Sequence, residues 1–506
     1  MTRKKKKAKR SGNDWFTDLL HNIRAGRWAD AWLNIWRQQT ASRAKASALG
    51  KKAYNASRDK NYELAIRYCT EAIALDPLYS YAYEQRARRY LDLERYDEAI
   101  ADYTEVIELD ETALAYHDRG RAYYRMGEDD LAVDDYTQAL VLQPRRKGVY
   151  IDRMRVNMRR KDLDAVIADV QPAMGVGESK AQIYTFLGAT YYNVGKYQEA
   201  VNALSDALQN DAKYQFALTT RAEAFVQLGV LEDAVEDATL ALKYDPENVR
   251  ILTIRGQTLT RLKQYEKAIE DFNRVVALNP QSFDAYNMRG WCYHSQGKLD
   301  LAMADSDKAT ALNPNNQQPY FTRMMIYEAQ DDLSSAIKEM ECAIELTPDS
   351  YSAYSNIGYY YRLREEHEEA LGYYTQALQL QEDFTIARLG RSVCYMRLGE
   401  HEKAIEDCTI GLTYVDSDPM LYNNRGYAKA HTSDIEGALE DINKALELDP
   451  ESAYAYDSRG FAYLKAGEWE LAKADFDKAI SLDASLSEDE EVMAHVAEAN
   501  KQLGIE

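Results

Sequence analysis

Residues 215–246 read QFALTTRAEAFVQLGVLEDAVEDATLALKYDP, and this stretch decides the fold because most of the chain repeats its pattern. Counted from its first residue as place 1, it carries small residues at place 8 (Ala222) and place 20 (Ala234), a glycine at place 15 (Gly229) and a final proline (Pro246). Apolar residues at places 4, 8 and 11, and again at 20, 24, 27 and 28, have helical spacing. The stretch therefore predicts two amphipathic helices separated by a glycine turn and ended by proline.

The same pattern recurs about every 34 residues from Ala46 to Ala484. About thirteen copies begin at residues 46, 80, 113, 147, 181, 215, 249, 283, 317, 351, 385, 419 and 453. Place 20 is alanine in all of them except the fourth, which has Val166. A strict period of this length indicates helix pairs that stack on one another, because one pair alone cannot bury its apolar face.

This pattern resembles the tetratricopeptide repeat family over about 440 residues, in repeat length, small places, aromatic places and terminal proline. The resemblance implies an all-α fold, a right-handed α-solenoid superhelix of about 13 helix pairs. It also implies that the first helix of each pair lines the concave face. Members of the family are mostly scaffolds that bind peptides and proteins.

The period divides the chain into four parts: a basic tail at 1–11, a degenerate repeat acting as a cap at 12–45, the repeats at 46–484 and a capping helix at 485–506. The tail carries seven positive charges in its first ten residues. Counting back one period places Trp15 at place 4, so the Trp-rich segment is predicted to be a cap rather than a membrane-surface helix.

The C-terminal segment is predicted to close the array, since repeat arrays need polar caps. Ser487 with Glu490 three places later predicts a capping box at the start of this helix. Val492, Met493, Val496 and Leu503 are expected to cover the last repeat.

Two internal features follow from comparing the copies. Pro172 lies inside the second helix of the fourth copy and predicts a kink there.

Place 7 is arginine in ten copies, and place 23 is acidic in the same ten, which predicts a bidentate pair between the two helices of each repeat. The predicted pairs are Arg86–Asp102, Arg119–Asp135, Arg153–Asp169, Arg221–Asp237, Arg255–Asp271, Arg289–Asp305, Arg323–Glu339, Arg391–Asp407, Arg425–Asp441 and Arg459–Asp475.

If the first helices line the concave face, then places 2, 5, 9, 12 and 13 point into a groove. Place 9, with place 13 beside it, offers arginines in the second to fourth copies and apolar or aromatic side chains from the eighth copy onward. Alternatively, the arginines pair with Glu84, Asp92, Asp118 and Asp152, and the aromatics pack between neighbouring helices. The predicted peptide-binding residues are Arg88, Arg121, Arg125, Arg155, Arg159, Trp291, Met325, Tyr359, Tyr427 and Phe461.

No pattern of catalytic, cofactor-binding or metal-ligating residues stands out, so the chain is predicted to be no enzyme and to hold no cofactor or metal. The five cysteines are scattered and form no CxxC pair, which is typical of buried thiols in a reducing compartment. His401 is predicted to be a core or rim residue, because it stands at place 17, where an aromatic normally packs.

The leading hypothesis is a cytoplasmic scaffold that binds a protein or peptide, with an acidic segment in the basic part of the groove, and helps to assemble a complex. A nuclear location is an alternative in a eukaryote. A second hypothesis is an adaptor for nucleic acid or membranes that uses the basic tail and the patch at 145–161. The net charge of −21 opposes nucleic-acid contact over most of the surface.

Overall fold

The structure is a computed structural model that describes residues 28–505, and every regular element in this range is a helix. The chain divides after Thr258 into two compact units, here called the N-terminal and C-terminal units. Within each unit, consecutive helices are joined by short turns and pack against each other as pairs, and each pair packs against the next. The predicted all-α array of stacked helix pairs is confirmed.

The N-terminal unit contains the first twelve helices, and α13 (Val249–Arg261) includes the point of division. The helices before it are α1 (Trp28–Arg58), α2 (Tyr62–Leu75), α3 (Ser80–Asp92), α4 (Tyr96–Leu109), α5 (Ala113–Met126), α6 (Asp129–Leu142), α7 (Val149–Arg159), α8 (Leu163–Gly175), α9 (Lys180–Asn193), α10 (Tyr197–Asn210), α11 (Gln215–Leu228) and α12 (Leu231–Tyr244).

The C-terminal unit continues the same alternation and ends with a single helix. Its members are α14 (Tyr265–Leu278), α15 (Phe283–Ser295), α16 (Leu299–Leu312), α17 (Gln318–Ala329), α18 (Leu333–Leu346), α19 (Tyr351–Leu363), α20 (His367–Leu380), α21 (Thr385–Arg397), α22 (His401–Tyr414), α23 (Pro419–His431), α24 (Ile435–Leu448), α25 (Ala453–Ala466), α26 (Trp469–Leu482), a 3₁₀ turn (Ala484–Ser487) and α27 (Glu490–Leu503).

The small residues let the two helices of a repeat approach closely. Ala222 and Ala234 are both fully buried. A Cβ added at Gly426 would lie 2.5 Å from Cγ1 of Ile442 and 2.9 Å from the carbonyl oxygen of Ala438. Because the second of these atoms belongs to the backbone and cannot rotate away, only glycine fits at this crossing.

The internal turn has one backbone conformation in all thirteen repeats. Place 15 has positive φ whether it is glycine, as at Gly229 (φ +77°), or not, as at Lys263 (φ +57°). Seven repeats hold a residue other than glycine there, namely Lys60, Glu94, Lys161, Lys263, Asp331, Glu365 and Ser433. The turn geometry is therefore imposed by the packing of the helices and does not depend on glycine alone.

The N-terminal end differs from the expected separate cap. The helix α1 runs without interruption through residues 45 and 46, where the cap was expected to end. The stretch that crosses this boundary has no proline and is rich in alanine, so nothing ends the helix. Trp32 and Trp36 are 67% and 63% exposed. The basic tail and the first part of the proposed cap, including Trp15, lie outside the described residues.

At the C-terminal end the predicted capping box is wrong. Asp489 is the N-cap of α27, and its carboxylate accepts hydrogen bonds from the backbone N–H groups of Glu491 and Val492. Ser487 instead lies in the 3₁₀ turn and donates its hydroxyl to the carbonyl oxygen of Ala484 at 2.7 Å. An aspartate adjacent to the helix start is as good a cap as serine, and it is two residues closer than Ser487.

The other predictions for this end are partly met. Val492 is 5% exposed, and Val496 packs beside it on the last repeat. Met493 is 39% exposed, so it does not cover the repeat. Pro172 is accommodated within α8, three residues before the end of that helix, and the kink stays a prediction.

Candidate protein-binding faces

The arginine–acid pairs fix the first helix of each repeat to the second. In eight repeats, Nε and Nη2 of the arginine donate to the two carboxylate oxygens of the aspartate, at 2.5–2.9 Å. Arg323 makes the equivalent pair with one oxygen of Glu339, at 2.8–2.9 Å. These nine predicted pairs are confirmed, and such forked contacts are among the strongest side-chain hydrogen bonds.

Each of these arginines also contacts the preceding repeat, which the sequence analysis missed. In all of them except Arg323, the third nitrogen, Nη1, donates to a hydroxyl or amide oxygen at place 25 of that repeat, as from Arg289 to Asn273 at 2.7 Å. Nη1 of Arg323 instead donates to the hydroxyl of Thr310 at 2.9 Å and lies 3.4 Å from the carboxylate of Asp307. The sequence contained a signal, because the two repeats that begin at 181 and 351 lack the arginine and follow Gln171 and Glu341 at place 25. The same contact joins Arg86 to Thr70, Arg119 to Thr104, Arg153 to Thr137, Arg221 to Ser205, Arg255 to Thr239, Arg391 to Thr375, Arg425 to Thr409 and Arg459 to Asn443.

We call the surface formed by places 2, 5, 9, 12 and 13 of the first helices the groove face. In the N-terminal unit its arginines alternate with acids. Nη2 of Arg88 lies 2.6 Å from Glu84 and 3.6 Å from Asp118, and Arg121 lies 3.6 Å from the other oxygen of Asp118. The pairing with Glu84 and Asp118, left open as an alternative, is therefore present.

Arg155 and Arg159 are also paired. Arg155 lies 2.7 Å from Asp152 and stands 5.4 Å above the ring of Phe186. Arg159 makes a forked pair with Asp129 and stands 4.3 Å above the ring of Tyr124.

Arg121, Arg125 and Arg159 are the exposed members of the predicted basic row, and Arg159 is held by its forked pair with Asp129. The side chain of Arg121 is 55% exposed, against 35% for Arg88 and 37% for Arg155. The row thus offers two accessible guanidinium groups within a nearly neutral surface.

The basic patch at 145–161 is similarly neutralised. Four of its eight positive side chains make ion pairs with acids, namely Arg153 with Asp169, Arg155 with Asp152, Arg159 with Asp129 and Arg160 with Asp130. Paired guanidinium groups have less charge to offer to phosphates, which weakens the case for a nucleic-acid surface here.

An open depression of about 520 Å³ lies beside the first repeat, and the sequence analysis did not single it out. Tyr54 stands at place 9 of that repeat and is 55% exposed. Tyr54, Tyr79 and Tyr81 line the depression together with Ser47, Lys51 and Asn55. The aromatic character of place 9 therefore begins in the first repeat.

In the C-terminal unit, Trp291, Met325 and Tyr359 occupy place 9 on α15, α17 and α19, and all three are half-buried. The ring of Trp291 makes an edge contact with Tyr265 of the preceding repeat, with centroids 5.7 Å apart. The guanidinium of Arg362 lies 5.2 Å from the ring of Tyr359. Met325 packs against the buried cluster that contains Met324 and Ile357. Each of the three side chains is thus held by neighbours and only half-buried. We call these three residues the central apolar row.

The last two predicted residues of the row differ from these three. Phe461 is 2% exposed, and the hydroxyl of Tyr427 donates to Glu491 of α27 at 2.7 Å. The exposed apolar side chains of these repeats stand instead at place 2, two helical turns away on the same face, and sequence analysis missed them. They are Ile386, Met420 and Tyr454, 63%, 57% and 62% exposed.

A column of rings lies behind this part of the groove face. His401 and His431 stack with centroids 4.3 Å apart, Phe461 follows at 4.6 Å, and His495 of α27 follows at 4.6 Å. The prediction that His401 is a packed core or rim residue agrees with this stack. Nδ1 of His401, Nε2 of His431, Nδ1 of His495 and Oδ1 of Asp457 are buried without a hydrogen-bond partner.

Burial governs the titration of this cluster. Desolvation, with lesser contributions from Glu491 and Asp489, raises the pKa of Asp457 to about 7. Desolvation, followed by the neighbouring His401, lowers the pKa of His431 to about 4. In the described part of the chain, no three His, Cys, Asp or Glu side chains are arranged to hold a metal ion.

The thiols offer no activated nucleophile. Cys69, Cys292, Cys394 and Cys408 are buried, as expected, whereas Cys342 is exposed and departs from that expectation. Burial raises the pKa of Cys69 and Cys394 to about 11 and also raises the pKa of Cys342. A thiol with so high a pKa stays protonated at neutral pH. Among residues 28–505, no helix is both long and apolar enough to cross a membrane.

Sequence models of a known repeat family agree with the fold. Sequence models described as tetratricopeptide repeats match residues 87–127, 113–146, 181–214, 219–283, 261–316, 325–383, 367–419, 421–452 and 453–486. Among solved structures, the chain is similar to the Cut9–Hcn1 hetero-tetramer of APC/C, with a TM-score of 0.43 and 14% identity over 90% of this chain and 96% of that one. Yeast Tom70 matches with a TM-score of 0.40 and 16% identity over 84% and 96% of the two chains.

Curated relatives match over short stretches. The Saccharomyces cerevisiae small glutamine-rich tetratricopeptide repeat-containing protein 2 is 36% identical over 78 residues, which are 15% of this chain and 22% of the relative. The Homo sapiens DnaJ homolog subfamily C member 7 is 41% identical over 56 residues, 11% of each chain. The Oryza sativa SGT1 homolog is 42% identical over 67 residues, 13% of this chain and 18% of the relative. The chain thus matches less than a quarter of the length of each.

The repeat models, the thirteen left-handed turns and the stacked helix pairs agree with one another. The fold is typically one of non-enzymatic scaffolds, and its repeats support interaction between proteins. The chain belongs to the tetratricopeptide repeat family.

Proposed function

We propose that this chain is a scaffold that binds a segment of a partner protein on its groove face and thereby assists the assembly of a complex. The observation that carries this proposal is the central apolar row. Trp291, Met325 and Tyr359 repeat at one place on three successive first helices, and each is half-buried. Side chains that are held in place but accessible lose little conformational entropy when a partner packs on them.

The segment bound in the C-terminal unit is apolar or aromatic. An extended or helical peptide can place alternate apolar side chains between neighbouring rows of this kind. Arg362 beside Tyr359 adds one cation at the edge of the row, which favours a carboxylate or a carbonyl group in the partner.

In the N-terminal unit we propose that an acidic segment binds through Arg121 and Arg125. Arg88, Arg155 and Arg159 already hold acids of the chain itself, so they orient the surface and take part only by exchanging partners. We propose a cytoplasmic location and retain the repeats at 46–484 as the functional part of the chain.

The experiment replaces Trp291, Met325 and Tyr359 with alanine in the full chain and measures which proteins co-purify. A matched control replaces three exposed leucines outside the groove face, Leu278, Leu301 and Leu380, with alanine. Partner recovery should fall at least tenfold with the first variant, since buried aromatic anchors are each worth about 2 kcal/mol or more. Equal recovery with both variants would exclude the central apolar row as a binding site.

The acidic segment is tested by Arg121→Glu with Arg125→Glu, which leaves the pairs of Arg88 and Arg155 in place. We expect weaker retention of an acidic partner and unchanged melting of the chain. An unchanged set of co-purified proteins would remove these two arginines from the site.

A further inference from the structure

One side of α1 carries basic and aromatic side chains at helical spacing, and it continues the groove face of the first repeat. Its members recur every three or four residues, so they lie in one line along the helix. They are Arg43, Ser47, Lys51, Tyr54 and Arg58, all exposed, and we call them the α1 stripe. Ser47, Tyr54 and Arg58 occupy places 2, 9 and 13 of that repeat. The α1 stripe therefore belongs to the groove face.

The open depression beside the first repeat adjoins this stripe, and a glycine allows its shape. A Cβ added at Gly50 would lie 2.9 Å from the hydroxyl oxygen of Tyr79 and 3.2 Å from its Cε1. The ring of Tyr79 can therefore lie directly against α1, with Tyr81 beside it at 5.8 Å between ring centroids. Gly50 stands at place 5, where each of the other repeats has a larger residue. Because glycine inside a helix costs about 1 kcal/mol relative to alanine, this repeat gives up helix stability for the close approach.

The cations of the α1 stripe are not neutralised as the arginines of the later repeats are. In the described part of the chain, Lys51 and Arg58 make no ion pair, and Nε of Arg43 lies 3.8 Å from Asp76. Arg88 of the next repeat, by contrast, lies 2.6 Å from its acid. A cation without an acid beside it keeps its charge and its hydrogen-bond donors for a partner. The first repeat therefore offers cations that its own chain does not use.

The sequence around the stripe has the same sign of charge. Residues 31–58 contain six cations and no acid, although the net charge of the chain is −21. Two acids of the following segment are occupied, since Asp76 accepts from the backbone N–H of Leu78 at 3.3 Å and Glu84 pairs with Arg88 at 2.6 Å. A positive stretch in an acidic chain favours a negatively charged partner at this place.

We propose that the α1 stripe and the adjoining depression bind an acidic segment of a partner protein. One apolar side chain of that segment packs among Tyr54, Tyr79 and Tyr81, and carboxylates on both sides of it pair with the three cations of the stripe. The proposal deepens the proposed function and rests on it only for the claim that the groove face of the N-terminal unit takes an acidic segment. It concerns residues other than Arg121 and Arg125.

The dimensions of the site favour a short peptide. Arg43 and Arg58 stand about 22 Å apart along α1, which an extended segment of about seven residues covers. Exposed ion pairs are weak, so the apolar side chain in the depression supplies much of the affinity and fixes the register. Asp59, Asp76 and Glu84 border the site, so a nucleic-acid strand that ran past it would meet negative charge.

The test uses the full chain and a fluorescent peptide of about seven residues, in which glutamates flank one central phenylalanine. We expect Lys51→Glu with Arg58→Glu, and separately Tyr54→Ala, to weaken peptide binding at least tenfold in fluorescence anisotropy. Lys45→Glu with Lys52→Glu is the matched control, because these lysines lie on the other side of α1 from Tyr54 and the change in charge is the same. At about 150 mM salt, where charges more than about 8 Å apart are screened, the control should bind the peptide as the unchanged chain does.

Changes in the peptide complete the test. Alanine in place of the phenylalanine should weaken binding at least tenfold, and lysines in place of the glutamates should abolish it. Equal losses in the two double variants, undiminished binding to Tyr54→Ala, or no binding to the unchanged chain at about 1 mM peptide would each overturn the proposal. So would tighter binding of oligothymidylate than of the peptide, since that would identify a nucleic-acid surface.

Failure of the proposed function is seen separately. Arg121→Glu with Arg125→Glu should leave binding of the peptide to the α1 stripe unaltered, since those arginines belong to another repeat. The melting temperature of every variant, followed by circular dichroism, should match that of the unchanged chain, because the replaced side chains are exposed.

Discussion

At the scale of single residues, the arginine–acid pair is the unit that joins helices and repeats. The side chains of Arg289 and Asp305 are 15% and 9% exposed, and Arg289 also donates to Asn273 of the preceding repeat. We expect Arg289→Met to lower the free energy of unfolding by about 3 kcal/mol, because it leaves a buried carboxylate without its cation.

A double variant shows whether the two side chains stabilise the chain as an interacting pair. Arg289→Met with Asp305→Leu should destabilise the chain less than the sum of the single variants, in urea unfolding followed by circular dichroism. Asn273→Ala, which removes only the contact between repeats, should cost about 1 kcal/mol or less. Additive losses would mean that the two side chains contribute independently.

A second residue-scale prediction concerns pH. Asp457 has a folded pKa of about 7 against 3.8 for the free carboxyl, so the folded state holds the extra proton between these values. Its contribution to stability therefore falls as the pH rises from about 4 to 7. His431, lowered from 6.5 to about 4, has the opposite slope, because the unfolded chain takes up the proton as the pH falls below 6.5.

The two opposite pH dependences can be measured separately by replacing Asp457 and His431 one at a time. The difference in melting temperature between Asp457→Asn and the unchanged chain should shift in favour of the variant as the pH rises from 4 to 7. The difference in melting temperature between His431→Phe and the unchanged chain should shift in favour of the variant as the pH falls from 6.5 to 4. Differences that stay constant with pH would show that neither group titrates as its burial implies. The exposed Glu451→Gln serves as the control.

At the scale of helices and turns, the left-handed backbone conformation at place 15 leads to a prediction about stability. Lys263 and Gly229 occupy the same left-handed conformation, which costs a residue with a Cβ about 1 kcal/mol more than glycine. Lys263→Gly should therefore stabilise the chain and Gly229→Ala should destabilise it, each by about 1 kcal/mol, in thermal unfolding. A loss of stability in both variants would show that Lys263 makes a compensating contact.

Helices and ion pairs were predictable from the sequence at those places of the repeat where the same type of residue has the same physical role in most copies. Ala234 stands at a place that is alanine in twelve of the thirteen repeats, and Pro246 at one that is proline in seven, so the helix pairs and the arginine–acid pairs could be derived by counting. The period says nothing about ends, where a residue has no counterpart. The uninterrupted helix through residues 45 and 46 and the cap at Asp489 therefore escaped the analysis.

The exposure of the side chains on the groove face could be predicted from the repeat only in part. Place 9 is exposed at Tyr54 and Arg121 and half-buried at Trp291, but it is buried at Phe461. The pairing of Arg88 with Glu84, four residues away on the same helix, was among the alternatives read from the sequence. The burial of Phe461, however, involves His495 of α27, which has no counterpart within the repeat. A side chain's partner across the surface cannot be read from its own place in the repeat.

At the scale of the whole molecule, charge separates the two hypotheses for what the chain binds. The net charge is −21, while the first ten residues carry seven positive charges. In the patch at 145–161, four of eight cations are already paired with acids. Attraction to phosphates would therefore have to come from the first ten residues, whereas the central apolar row owes its binding to apolar contact.

Removal of residues 1–10 tests this division. Co-purification through Trp291, Met325 and Tyr359 should survive the deletion and should change less than tenfold between about 50 and 200 mM salt, because apolar burial is insensitive to screening in this range. An adaptor that made six to ten phosphate contacts would instead lose about a thousandfold or more in affinity over the same interval. If the deletion abolishes partner recovery, and RNA or anionic vesicles bind the full chain with that steep salt dependence, then the basic tail rather than the groove face is the binding element.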